Sequence, residues 1–306
     1  MGDIRGQRMP GRRAVLLGMA GFATAALSGC VAAGHATGDA EPSTQAIDQA
    51  IPARSRTAPA PLPIGEPDRP ALPTKQQIVA EFANRKPQEW GLQVTGVVTQ
   101  AAAGAIALTF DACGGPGGAG FDHELIGTLQ KLHVPATLFL NERWIQANPD
   151  LTKELAANPL FELANHGFLH RPLSVNGKSA YDIAGTADLG QVYDEVTGNQ
   201  KVLQDITGRL PRFFRPGTAY YDEVAAAVTR RLGLQPVNFS INGDAGATLA
   251  PAAVASSVAS ARPGDIVIAH FNKPGSGTAA GFRQALPRLQ GGGTTFARLG
   301  EVLPAL

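Results

Sequence analysis

The sequence predicts an α/β fold, a barrel built from a parallel sheet and surrounding helices. In the last two thirds of the chain, short apolar runs typical of buried strands alternate with segments of helical period. Such alternation indicates parallel strands joined by right-handed helical crossovers. About seven strand–helix units fit into about 200 residues, which favours a barrel over an open sheet.

The predicted elements follow one another in a regular order. A short helix over Lys75–Asn84 precedes the first strand, and another short helix closes the chain. Strands are predicted from apolar runs at Ala105–Phe110, Ala136–Leu140, Leu160–Ala164, Arg212–Phe214, Pro236–Phe239, Ile266–Ala269 and Thr294–Phe296. Helices are predicted from hydrophobic residues at helical spacing. They span Asp122–Leu132, Asn141–Ala156, Tyr181–Ile206, Asp222–Leu232, Leu249–Ala261 and Thr278–Leu289.

The composition excludes several classes of protein. The 306 residues include 26 Lys and Arg against 25 Asp and Glu, and this balance implies no nucleic-acid partner. The hydrophobic fraction of 44% is enough for a sizeable core. Two cysteines, Cys30 and Cys113, cannot build a disulfide framework. A collagen, a disulfide mini-protein and a multi-span membrane protein are also excluded, and no obligate protein partner is evident.

The first 29 residues resemble the signal peptide of a bacterial lipoprotein. Four arginines precede the uncharged apolar run Ala14–Leu27, which is too short for a membrane span of about 20 residues but suits a signal peptide. The run ends in Leu27-Ser28-Gly29-Cys30, which is similar to a lipobox and predicts lipidation of Cys30. Arg12-Arg13 loosely resembles a twin-arginine signal, so twin-arginine and general export both stay open. We expect an exported lipoprotein, anchored to the membrane and facing the periplasm or cell envelope.

The remaining chain divides into three parts. Residues 30–74 are rich in proline and alanine without a hydrophobic period, which is typical of a tether. Residues 75–104 form a lead-in segment, and residues 105–306 form the predicted barrel domain.

Chemically active side chains follow the predicted strands. Because the carboxyl ends of parallel strands share one face of a barrel, residues far apart in sequence would converge there. These residues are Asp111, Asn165, His166, His170, Arg215, Asn242, Asp244 and His270.

His166 and His170 form a candidate metal site. On a helical turn, positions i and i+4 share one face and can chelate one cation. An isolated His-x3-His pair is more often two ordinary histidines, but this pair lies directly after a strand and beside Asn165. Two imidazoles with a carboxylate suit Zn²⁺ with one open position.

Five segments in order resemble the motifs of polysaccharide deacetylases, the NodB-homology domain of carbohydrate esterase family 4. They are LTFDACGG (Leu108–Gly115), NHGFLH (Asn165–His170), FFRPG (Phe213–Gly217), FSINGD (Phe239–Asp244) and IVIAH (Ile266–His270). The resemblance implies a distorted (β/α)7 barrel of the glycoside hydrolase–deacetylase type. It also implies metal-dependent hydrolysis of N-acetyl groups on peptidoglycan, a chitin-like glycan or an exopolysaccharide, releasing acetate.

The resemblance also implies a role for each matching residue. Asp111 would be the general base for the attacking water, held ionised by Arg215. His270 would be the acid that protonates the leaving amine, steadied by Asp244 or Asn242. His166 and His170 would bind a divalent metal, which we expect to be Zn²⁺.

The first motif departs from the family pattern at the third metal ligand. Ala112 stands where an aspartate is usual, and alanine cannot bind a metal. Asp111, Cys113 and Asp122 are the candidates for this role. Asp122 could instead cap the next helix, and Cys113 could simply fill a tight turn. DACGG with the glycine-rich loop after it resembles a recurring variant within the family.

The third and fourth motifs also depart from the family pattern. Tyr220 or Tyr221, after the third motif, could stack on a sugar ring or pack within the barrel.

Two other functions stay open. The first rival function is an amidohydrolase of a small non-sugar amide on the same scaffold. The second is a non-catalytic glycan-binding barrel.

Overall fold

The computed structural model describes residues 72–101 and 104–306, which belong to one compact unit. The predicted signal peptide, the predicted lipidation site Cys30 and nearly all of the predicted tether lie outside the described residues. Among the helices that are described, none has the length and apolar character required to cross a membrane.

The described residues form eight strands and nine α-helices. The strands are β1 (Ile106–Ala112), β2 (Ala136–Leu140), β3 (Phe161–Asn165), β4 (Phe213–Phe214), β5 (Gln235–Pro236), β6 (Ile241–Asn242), β7 (Ile266–His270) and β8 (Phe296–Ala297). The helices are α1 (Lys75–Phe82), α2 (His123–Lys131), α3 (Glu142–Ala147), α4 (Pro149–Ala157), α5 (Leu189–Thr207), α6 (Glu223–Arg231), α7 (Pro251–Ala259), α8 (Gly277–Gly291) and α9 (Leu299–Val302).

The strands form one parallel sheet in the order β5-β4-β3-β2-β1-β7-β6. β8 pairs with the first two residues of β1, ahead of the stretch that pairs with β2. Within the described residues, β5 and β6 do not pair with each other, so the curled sheet is a partial barrel. This architecture confirms the predicted distorted (β/α) barrel.

The central strand β1 is covered by other elements on both of its faces. All seven residues of β1 are buried, as expected for a parallel strand that is covered on both faces. On one side, Phe110 packs against Phe282 of α8 with 5.1 Å between the ring centroids. A charged residue on this strand is therefore held in a fixed, water-poor position.

The lead-in segment contributes to the same core. Thr74 and Gln77 form a capping box at the start of α1, whose Ile78 and Phe82 are buried against α5 and α6. Further along, Val98 pairs in parallel with Val237, just beyond β5. This segment therefore borders the edge of the sheet near the gap between β5 and β6.

Two predicted helices have different bounds in the structure. The helix predicted over Asn141–Ala156 is divided into α3 and α4, because Pro149 begins a new helix after Asn148. The helix predicted from Tyr181 begins only at Leu189. Tyr181 and Asp182 have φ of 51° and 60°, in the left-handed region where an α-helix cannot continue. Strand β6 was not predicted.

Candidate active site

The chemically active residues converge at the carboxyl ends of the strands, as predicted. Asp111 lies near the end of β1 and is the register partner of His270, the last residue of β7. Arg215 directly follows β4, and its backbone N–H donates to the carbonyl of Asn165 at the end of β3. The parallel register of the sheet therefore positions these groups.

Asp111 and Arg215 form a buried ion pair. The guanidinium Nη1 donates to Asp111 Oδ1 at 2.7 Å and to Thr109 Oγ1 at 3.0 Å. The same guanidinium donates to the carbonyls of Val237 and Asn238 and stacks over Phe139 at 4.2 Å from the ring centroid. Burial alone would raise the pKa of Asp111, but the Arg215 charge and nearby histidines hold it below its usual value. The carboxylate is therefore kept ionised and oriented.

His166 presents one nitrogen to the centre of the site. Its Nδ1 lies 2.9 Å from the carbonyl oxygen of Arg215, which can only accept, so Nδ1 carries the hydrogen. In the neutral ring, Nε2 then has a free lone pair. It lies 3.8 Å from Cys113 Sγ and 3.7 Å from Asp111 Oδ2. This is the arrangement of a metal-binding histidine that is oriented through its other nitrogen.

The segment from His166 to His170 is a loop, so the predicted helical turn is wrong although the two rings do meet. The imidazole centroids are 4.9 Å apart. Gly167 and His170 have φ of 81° and 62°, which a helical turn does not allow. The left-handed backbone at these two positions turns the loop, and the turned loop brings the two rings together.

Glu195 on α5 holds this loop in place, and the sequence analysis did not identify it. Its carboxylate accepts the backbone N–H groups of Leu169 and Arg171 at 2.9–3.1 Å. A Cβ at position 167 would collide with this carboxylate, so only glycine fits there. Glu195 is buried on the apolar face of α5, beside Val192 and Val196. The sequence does show an acidic residue among the apolar positions of this helix, and that pattern could have identified Glu195.

Cys113, His166 and His170 together form a group that could hold a metal ion. One ligand atom from each residue lies within 4.8 Å of the others. A tetrahedral zinc ion, with Zn–S of about 2.3 Å and Zn–N of about 2.0–2.1 Å, would separate sulfur and nitrogen by about 3.6 Å. The observed Sγ–Nε2 distance of 3.8 Å is close to this value. In addition, His170 Nε2 is buried without a hydrogen-bond partner in the described part of the chain. The donor set therefore fits Zn²⁺.

The structure places the three candidates for the third ligand differently. Cys113 lies beside His166 and His170. Burial alone would raise the pKa of its thiol, but His170 and the neighbouring imidazoles lower this pKa well below the usual value. Asp111 Oδ1 instead accepts a hydrogen bond from Arg215 Nη1 at 2.7 Å. Asp122 caps α2, where its Oδ1 accepts the N–H of Leu125 at 3.0 Å.

His270 is oriented by Asp244, one of its two predicted partners. Asp244 Oδ1 lies 2.9 Å from His270 Nδ1, and Oδ2 accepts the backbone N–H of His270 and the hydroxyl of Thr278. Burial alone would lower the pKa of His270, but Asp244 and Cys113 raise it well above the usual value. Asn242, the other predicted partner, instead accepts the N–H of Ala245 in a turn. Thr278 was not identified from the sequence.

A family model described as polysaccharide deacetylase matches residues 99–237, a span that includes Asp111, Cys113, both metal-site histidines and Arg215. Residues 99–237 carry a polysaccharide deacetylase domain. His270 and Asp244 lie beyond the matched span, and the sheet register brings them to the same site.

Two named relatives resemble the polysaccharide deacetylase domain. A bifunctional xylanase/deacetylase from Pseudobutyrivibrio xylanivorans is 25% identical over 198 residues, covering 64% of this chain and 30% of the relative. A chitooligosaccharide deacetylase from Bradyrhizobium sp. (strain ANU 289) is 28% identical over 185 residues, covering 60% of this chain and 77% of the relative. The chain thus spans less than a third of the first relative and about three quarters of the second.

A solved structure shows the same fold. A CE4 family pseudoenzyme from Bacillus anthracis has a TM-score of 0.56 and 17% identity, covering 70% of each chain. At this identity the likeness shows the fold alone, so the chemistry of the polysaccharide deacetylase domain must be argued from its own residues.

Proposed function

We propose that this protein hydrolyses N-acetyl groups on an N-acetylated glycan in a metal-dependent reaction. One observation carries the proposal. An ionised carboxylate, Asp111, and an imidazole, His270, lie in register on neighbouring strands beside the ligand group formed by Cys113, His166 and His170. Hydrolysis of an amide needs these three functions, namely a base, an acid and an electrophile.

Cys113, His166 and His170 would hold the metal, with the thiol as the third ligand in place of the residue missing at Ala112. The thiolate is the form that binds zinc, and the lowered pKa of Cys113 favours it. Ala112 lies in the apolar core cluster, so its side chain is directed away from this group. A zinc ion held there would supply a Lewis acid that polarises the amide carbonyl and makes water more acidic.

Asp111 would accept a proton from the attacking water. Arg215 keeps the carboxylate ionised and fixed in orientation, because the guanidinium is itself held by Thr109, Val237 and Asn238. The pairing also prevents the carboxylate from turning away from the site. General base catalysis of this kind contributes about 10²–10⁴-fold.

His270 would donate a proton to the leaving nitrogen as the C–N bond breaks. Its Nδ1 is bonded to Asp244, which leaves Nε2 for the substrate. The raised pKa of His270 favours the protonated ring, which is the form that can donate a proton. Water and the N-acetyl group are then converted to acetate and a free amine, with one proton taken by Asp111 and one given by His270.

The names of the relatives support a glycan as the substrate. One is named a chitooligosaccharide deacetylase and another a bifunctional xylanase/deacetylase. On this basis we propose a chitin-like glycan, peptidoglycan or an exopolysaccharide for this chain. A location in the bacterial envelope, with a lipid anchor on Cys30, is proposed from the sequence and would bring the domain to such a substrate.

The decisive experiment measures acetate release from N-acetylated chito-oligomers by the purified protein, together with its zinc content. We expect stoichiometric zinc, acetate release, and loss of both after chelation with recovery on adding zinc. A parallel panel of small non-sugar amides tests the rival amidohydrolase, which would cleave those and spare the oligomers. Protein that binds oligomers and releases no acetate in the presence of zinc would instead be the non-catalytic binding barrel.

A further inference from the structure

Three aromatic side chains form a connected surface outside the catalytic group. Trp90 and Tyr220 lie with their ring centroids 5.6 Å apart, and Tyr181 meets Tyr220 edge-on at 5.5 Å. Tyr181 is 70% exposed, while Trp90 and Tyr220 are half-buried. Rings packed in a core are not exposed to this extent, so this surface faces solvent.

The other candidate aromatic residue, Tyr221, has a structural role. It is fully buried, and its hydroxyl donates to the carbonyl of Phe214 at 2.8 Å. Tyr220 and Tyr221 therefore point in different directions, and only Tyr220 belongs to the exposed surface.

Backbone hydrogen bonds anchor the segments that carry Trp90 and Tyr181. Gly91, next to Trp90, exchanges two backbone hydrogen bonds with Tyr221, each 3.0 Å long. Tyr181 lies at the tip of a tight turn closed by reciprocal bonds between Ala180 and Ile183. At this tip Tyr181 has φ of 51°, a conformation that disfavours bulky residues. An exposed aromatic residue held in an unfavourable conformation points to a role in binding, since burial does not compensate for it.

This aromatic surface lies near the metal-ligand group along the chain. Gly217 lies directly against His170, so closely that a Cβ at position 217 would collide with the His170 backbone. Tyr220 follows three residues later, and three residues span at most about 11 Å. A ligand lying on these rings is therefore within reach of the catalytic residues.

We propose that Trp90, Tyr220 and Tyr181 form a stacking surface for the sugar rings of a glycan chain that extends from the catalytic group. The C–H bonds on the face of a pyranose ring are apolar, and the electron-rich face of an aromatic ring attracts them. Polar groups beside the rings suit the sugar hydroxyls. The Lys178 amine lies 5.8 Å from the Trp90 ring centroid, and Asp182 shares the turn with Tyr181. The identity of this ligand rests on the proposed function, whereas the presence of the surface does not.

Binding without turnover tests the proposal directly. The chain has two tryptophans, and Trp144 is fully buried, so a ligand-dependent change in fluorescence reports on Trp90. Asp111→Asn protein is titrated with the pentamer of N-acetylglucosamine and with the monomer. We expect saturable binding of the pentamer and much weaker binding of the monomer. Absence of a fluorescence change with the pentamer would overturn the proposal.

Substitutions then separate the rings from their surroundings. In the same protein, Tyr181→Ala and Tyr220→Ala should each raise the Kd for the pentamer about three- to tenfold, the size of one aromatic contact. Tyr181→Phe, which keeps the ring, should bind within about twofold of the parent protein. Unchanged pentamer affinity in both alanine variants would contradict a stacking role.

Kinetics distinguish failure of this proposal from failure of the proposed function. If the otherwise unaltered protein releases acetate and Tyr181→Ala leaves kcat/KM for the pentamer unchanged, the stacking surface is wrong and the deacetylase stands. If the pentamer binds through these rings and no acetate is released, the catalytic proposal is wrong and the stacking surface stands.

Discussion

Asp111 and His270 occupy paired positions on the neighbouring strands β1 and β7. The proposed base and the proposed acid therefore lie next to each other at the carboxyl end of a rigid parallel sheet. Each is held by one further residue, Asp111 by Arg215 and His270 by Asp244. The arrangement assigns separate tasks to two groups whose pKa values are shifted in opposite directions.

Replacing Asp111 by asparagine should remove catalysis while the protein stays folded. We expect acetate release from chito-oligomers to fall by about 10²–10⁴-fold, because amide oxygen is a poor proton acceptor. The thermal midpoint should also fall, since the buried Arg215 charge loses its counterion. Arg215 keeps Thr109, Val237 and Asn238 as acceptors, which limits this loss. Wild-type rates in the folded variant would contradict the assignment of the base.

Substitutions of Cys113 test whether its thiol binds the metal. Cys113→Ser should lower zinc affinity by more than about 100-fold, because loss of a direct ligand costs more than loss of an outer partner. Cys113→Asp should retain zinc and part of the activity, because a carboxylate also binds zinc. Zinc content and acetate release are measured on the same samples. If both variants bind zinc like the parent and neither releases acetate, the thiol acts on the substrate and is not a ligand.

Glu195 should control metal binding without touching the metal. Glu195→Gln removes the negative charge that receives the N–H groups of Leu169 and Arg171 and keeps the shape of the side chain. We expect zinc affinity to fall by about 10–100-fold, as for other partners of metal ligands. Glu154→Gln on the exposed face of α4 is the matched control. Equal zinc affinity for both variants would show that Glu195 has only a packing role.

The pH profile of activity tests the pairing of His270 with Asp244. His270 can donate a proton only when protonated, so the rate should fall as the pH rises through its raised pKa. Asp244→Asn removes the carboxylate that raises this pKa, and the fall should then begin at lower pH. Asn242→Ala should leave the profile unchanged, because Asn242 contacts a turn. A shift in the Asn242 variant alone would reverse the assignment.

Much of the fold was predictable because the strands are apolar on both faces. β2 has the predicted bounds Ala136–Leu140, and the residues at or just beyond the carboxyl ends of β1, β3, β4 and β7 lie at the site as expected. The tight turn at Tyr181 was missed because apolar and polar residues there imitate a helical period, whereas the backbone adopts left-handed values. Such local conformations depend on contacts made elsewhere in the chain.

The third metal ligand was left open between three residues, although a local argument favours Cys113. Along an extended chain, successive side chains point to opposite faces. Asp111 and Cys113 therefore share one face, and Ala112 lies on the other. The meeting of His166 and His170 was predicted for the wrong reason. It depends on contacts of Glu195 with Leu169 and Arg171, which are 26 and 24 residues away in sequence, and no local pattern shows these contacts.

A crystal structure of the zinc-loaded protein, with anomalous data at the zinc edge, tests the proposed metal site most directly. We expect one ion bound by Cys113 Sγ and by one nitrogen each of His166 and His170, with Asp111 still paired to Arg215. A zinc ion that is bound by the carboxylate of Asp111 or Asp122 in place of the thiol, or that one of the histidines does not bind, would contradict it.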